Sequence, residues 1–200
     1  MAGFFCLFLL IAWGLGYPTL NRYDPRQTPG LTDVQSYAAL VIGAPTLDAG
    51  HLRFRALVPW VARPFYQLAK GRFGSWDPVM FGILVADALF VAATALLIVV
   101  LGTRNMDRYV VSLVASLLYL LNFAVPNLRL AGLVDAGEGF FLLVVFWSLS
   151  ELKLWTLPFV EALGALTKES FIPLRIVFMA GGGSSSARNW LRPRGLQFGL

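Results

Sequence analysis

The sequence predicts an all-α integral membrane protein with about five membrane-spanning helices and a long polar first loop carrying short amphipathic helices. Three observations lead there. Of the 200 residues, 58% are apolar and only 14% charged, which is outside the usual soluble composition. The apolar residues are gathered into nearly unbroken runs, 4–20, 78–101, 109–125 and 139–149, rather than spread as faces. The second run alone exceeds the ~20 residues that a bilayer helix needs.

The first span is expected over 3–20. A signal peptide would open with basic residues and close on a small-residue cleavage site. No cation precedes this run, and it ends in Gly14-Leu15-Gly16-Tyr17-Pro18, so an uncleaved helix fits better. Cys6 is the single cysteine and lies within the run, where a buried thiol is expected. One cysteine excludes a disulfide framework or a cysteine-based metal cluster, and one histidine, His51, excludes a histidine-rich site. A net charge of +5 hints at anionic lipid or phosphate partners, although basic residues also simply flank spans.

The loop, 21–77, is the only long stretch that water would accept. Thr32-Asp33-Val34-Gln35 reads as a capping box, which puts Asp33 on the first turn of a helix and Tyr37 one turn later on the same face. A break follows at Gly43-Ala44-Pro45. Residues 51–73 then mix bulky apolar groups with the cations Arg53, Arg55, Arg63, Lys70 and Arg72. Pro59 and Pro64 argue against one straight helix there. Short helices in the headgroup layer are expected instead, with Trp60, Phe65 and Tyr66 toward the lipid and the cations contacting lipid phosphates.

Asp77-Pro78 is a strong helix start, a capping carboxylate followed by proline at the first helical position. The span 78–102 carries Asp87 roughly two and a half turns inside, expected to hydrogen-bond between helices rather than to catalyse. A tight turn over 102–108 leads to the span 109–127. The acidic turn 133–138 opens the span 138–156, with Glu151 and Lys153 snorkelling at its far end. The last span, 158–179, holds Glu161, Lys168, Glu169 and Arg175, with Pro173 after the central pair. Residues 181–200 are Gly/Ser-rich and then basic, a flexible tail whose abrupt change of composition suggests truncation or a shifted reading frame. There is no internal repeat and no nucleic-acid motif.

Three ionisable clusters can converge: Asp33, then Asp135 with Glu138, then Lys168 with Glu169. Each also has a structural reading. Asp33 complements a helix dipole, Asp135 caps the helix of the fourth span and Glu138 fits its first turn, and Arg129 pairs with Asp135. Lys168 and Glu169 point ~100° apart on a helix and so need separate partners, which favours function. Charge does not orient the chain, because the cations of the loop and tail oppose the Arg104/Arg108 turn and the acids at 135 and 138.

In order along residues 3–180, four elements resemble the amino-terminal half of the GT-C superfamily of polytopic glycosyltransferases, such as protein mannosyltransferases and lipid A aminoarabinose transferases. They are Asp33-Val34-Gln35-Ser36-Tyr37, Arg55-Ala56-Leu57-Val58-Pro59, Val134-Asp135-Ala136 and Leu166-Thr167-Lys168-Glu169. The resemblance implies a multi-pass protein of the plasma (inner) membrane with loop 21–77 external. It implies transfer of a sugar from a polyprenyl-phosphate donor to an acceptor on the extracytoplasmic face. Asp33 would be the catalytic base, with Tyr37, Arg55, Lys168 and Glu169 binding substrate. Asp135 would position the acceptor or hold a divalent cation, Mg or Mn, and Glu138 joins it by proximity. Full-length relatives carry about twice as many spans, so the chain is expected to be incomplete. The alternatives are a transporter or flippase-like fragment, with Asp87, Lys168 and Glu169 lining a polar path, or an inactive remnant.

Overall fold

A computed structural model of the chain describes residues 1–18, 20, 32–44, 55–72, 76–122, 124–130, 135–168 and 171. All regular structure among them is helical. The helices are α1 (Ala2–Gly16), α2 (Thr32–Ile42), α3 (Leu57–Ala69), α4 (Pro78–Met106), α5 (Tyr109–Leu121), α6 (Asp135–Ser150) and α7 (Leu157–Ala165). A π-helical turn, Val125–Arg129, follows α5, and a 3-10 turn, Leu154–Thr156, precedes α7.

Everything is assembled on α4. Its start is fixed by local chemistry: the Asp77 carboxylate accepts from Val79 N–H at 2.7 Å and from Met80 N–H at 3.1 Å, and Pro78 needs no partner for a missing N–H. Its 29 residues rise ~44 Å, and it is the one described helix both long and apolar enough to cross a membrane. It ends where Asp107 adopts a left-handed conformation, φ 51°.

Buried alanines at 86, 88, 92 and 95 let α1, α3, α5 and α6 close around α4. The α4/α5 crossing is tight. Ser116 Oγ donates to the Ala95 carbonyl at 2.8 Å, and a Cβ on Gly102 would lie 2.5 Å from Ser112 Oγ. Phe8, Ala12, Leu84, Ala88, Val91 and Leu120 form the core between α1, α4 and α5. The opposite face of α5 exposes Val110, Val111, Val114, Leu118 and Leu121. At the far ends of α4 and α6, Arg104 and Glu151 pair at 2.9 Å, while Lys153 lies 4.6 Å from the Trp147 ring centroid rather than reaching away.

Several expectations need correction. The apolar helices Ala2–Gly16 and Tyr109–Leu121 are shorter than the spans expected over them, and much of the span expected over 158–179 lies outside the described residues. Helix α3 runs unbroken through Pro64. Pro59 falls in its first turn, where an N–H is not required, and Pro64 is exposed, so the carbonyl it leaves unpaired is offset by packing of the opposite face. On that face Tyr66 turns toward Gly82 of α4 instead of outward, whereas Trp60 is exposed as expected. Cys6 is exposed on α1 rather than buried. Helix α7 ends at Ala165, which leaves Lys168 beyond that helix. His51, Arg53, Glu169, Pro173, Arg175 and the tail lie outside the described residues.

Candidate functional site

Four separate stretches of chain meet near the starts of α3 and α6. Helix α2 begins at Thr32 with Asp33 in its first turn, as its sequence suggests. One turn on, Tyr37 is 1% exposed and packs with Val41 against Val58 and Ala62 of α3 and Ile83 and Ala86 of α4. Arg55, just ahead of α3, donates from Nη1 to the Tyr37 hydroxyl at 3.1 Å.

Asp135 and Glu138 both lie in the first turn of α6, where carboxylates suit the positive end of the helix dipole. They share one partner. Lys168 Nζ donates to Asp135 Oδ1 and to Glu138 Oε2, each at 2.8 Å. The segment bearing Lys168 is fixed by its backbone, because Leu57 N–H donates to the Leu166 carbonyl at 3.0 Å. Thr167 between them is fully buried and donates to the Gly164 carbonyl at 2.6 Å. Gly137 permits this approach: a Cβ there would come 2.8 Å from Thr167 Cγ2 and 3.0 Å from Val58 Cγ2.

Electrostatics ties the two halves together. Burial raises the pKa of the Tyr37 phenol above the ordinary tyrosine value. The Arg55 hydrogen bond and charge pull it down, and the carboxylates of Asp33 and Asp135 push it up again. Tyr37 is therefore within reach of an acid from α2 and an acid from α6. Of the residues singled out from sequence, Tyr37 meets Arg55, and Asp135 and Glu138 meet Lys168, while Asp33 and Asp135 act on Tyr37 through their charge.

Asp135 and Glu138 are a poor fit for a bound divalent cation as they stand, because the Lys168 ammonium fills the place between them. Among the described residues no group of three His, Cys, Asp or Glu side chains could hold a metal. Arg129 does not pair with Asp135; its guanidinium lies over the Tyr119 ring, 5.6 Å from the centroid. Asp87 is fully buried, and neither carboxylate oxygen has a hydrogen-bond partner, so the expected helix-to-helix bond is not made. Sequence reasoning gave Thr167 and Gly137 no part in the site. Neither carries a chemical signal, since both act by shape.

Compared with known sequence families, with curated proteins and with solved structures, the chain shows no match.

Proposed function

We propose that the chain is a multi-pass membrane glycosyltransferase of GT-C type. It moves a sugar from a polyprenyl-phosphate donor to a hydroxyl or amine acceptor on the extracytoplasmic face of the plasma membrane. The observation that supports this reading best is the shared Lys168 contact with Asp135 and Glu138, set beside the Arg55–Tyr37 pair.

In this reaction the bond between the anomeric carbon and the phosphate oxygen breaks, and a bond from that carbon to the acceptor forms. The acceptor's proton passes to Asp33, the general base. The departing phosphate gains negative charge, which Arg55 and Lys168 offset. An ammonium has three N–H donors, and Lys168 uses two on its carboxylates, so the third can reach a phosphate oxygen while the cation stays fixed. Asp135 positions the acceptor, and Glu169 is assigned to substrate binding by the sequence resemblance.

Asp33→Asn tests the reading. With the full chain in membranes and a labelled polyprenyl-phosphate sugar, transfer should be lost while insertion and expression persist. Near-normal turnover would remove Asp33 from the role. One observation favours a second reading, transport along a polar path: the unpartnered carboxylate of Asp87 inside α4. Substrate-dependent counterflow in liposomes without sugar transfer would support that alternative.

A further inference from the structure

The turn after α5 directs a cation inward. Leu130 N–H donates to the Val125 carbonyl at 2.9 Å, closing a π-helical turn with Pro126 near its start. Such turns are wider than an α-helical turn and occur often at functional sites. Arg129, at the end of the turn, is partly exposed, but its Nη1 is buried and has no hydrogen-bond acceptor. Asp135, the acid nearest in sequence, is taken by Lys168. No ion pair to Arg129 is found among the described residues.

The ring beneath the guanidinium contributes a second orphan. Tyr119 Oη is also buried without a hydrogen-bond partner. Thr94 and Arg129 are its polar neighbours, and Thr94 Oγ1 donates to the Phe90 carbonyl at 2.8 Å. Gly139 of α6 completes the seat, because a methyl group there would overlap the guanidinium. Two buried polar atoms from different elements, one of them cationic, thus lie together with neither making a well-formed hydrogen bond. Leaving such groups unmatched is costly, whereas an anionic oxygen would satisfy both.

We propose that Arg129 and Tyr119 form a binding site for a phosphate oxyanion, separate from the Lys168 cluster. The guanidinium supplies the charge, the phenol supplies the second donor, and Gly139 leaves room for the guanidinium itself. A phosphate suits the pair because Arg129 has no acid to neutralise it and planar guanidinium donors match phosphate oxygens. The phosphate belongs either to a lipid headgroup or to a free ion. The site does not depend on the sugar-transfer reading.

The test uses the full chain in maltoside micelles, titrated with inorganic phosphate, with short-chain phosphatidylglycerol, and with the diacylglycerol that lacks the phosphate. Binding is read by native mass spectrometry and by the shift in unfolding temperature. Saturable binding of phosphatidylglycerol alone identifies a headgroup, and binding of inorganic phosphate as well identifies a general phosphate site. Arg129→Gln should weaken either by roughly tenfold or more, and Tyr119→Phe by several-fold, as expected for charged and neutral donors. Tyr119→Phe keeps the ring under the guanidinium, so it remains informative if Arg129→Gln does not fold. Absence of saturable binding by both phosphate probes would overturn the proposal. So would diacylglycerol binding as tightly as phosphatidylglycerol, or unchanged binding in Tyr119→Phe.

Discussion

The Tyr37 hydroxyl accepts a hydrogen bond from Arg55 at 3.1 Å, yet the rest of its ring is sealed between α3 and α4. The pair therefore couples the residue ahead of α3 to the middle of helix α2. Its polar end faces the acids of the candidate site, and its apolar body is core.

That arrangement sets a pH dependence. Burial, with Asp33 and Asp135, raises the Tyr37 pKa above 10.0 against the opposing pull of Arg55. Both folded and unfolded chains hold the proton below about pH 10, so the contribution is fully present there. Above it the unfolded chain ionises first, and stability falls as pH rises through the folded value. Denaturant midpoints measured from about pH 9 to 11 should decline less steeply in Tyr37→Phe than in the parent. At neutral pH the same substitution should cost about 1–3 kcal/mol, because Arg55 loses an acceptor.

Gly82 is a stricter position than its helix suggests. A Cβ there would lie 2.8 Å from the Ala62 carbonyl oxygen and 3.0 Å from the Tyr66 amide nitrogen, both backbone atoms of α3. Backbone cannot rotate aside, so Gly82→Ala should destabilise by about 1–3 kcal/mol through overpacking. Gly14 on α1 has nothing within 4 Å of that position. Gly14→Ala should instead stabilise by about 0.5–1 kcal/mol, and unfolding in detergent compares the two.

Asp87 gives a prediction of opposite sign. Its carboxylate is fully buried in α4 and makes no hydrogen bond. Removing an unpaired buried carboxylate relieves a desolvation cost, so Asp87→Asn should leave stability unchanged or raise it by about 1 kcal/mol. A loss of stability in thermal unfolding would mean that Asp87 contributes to folding after all.

What could be read from sequence was whatever depends on neighbours in the chain. The start of α4 followed from Asp77 and Pro78, because a cap and its N–H partners lie within three residues. The placement of Asp33 and Glu138 on first turns followed from the same local rules, whereas Asp135, expected as a cap, is already in the helix. Residues decided by distant packing were not legible. Pro64 was expected to break α3, but the helix is held through it by burial of Val58, Ala62 and Ala69 on the inner face. Arg129 was assigned to Asp135 by proximity in sequence, whereas Lys168, arriving from the far end of the chain, takes that acid. Asp87 was expected to find a partner on another helix, and no spacing rule could reveal that its neighbours offer none.

The backbone bond from Leu57 to Leu166 joins positions roughly a hundred residues apart. A ribosome delivers α3 long before it delivers the segment that fastens it, at about 5–20 residues per second. During that interval α3 can already pack on α4, but Lys168 has not yet come to Asp135 and Glu138. The Lys168 contacts that complete the polar cluster at the head of α6 are thus a late event in biogenesis.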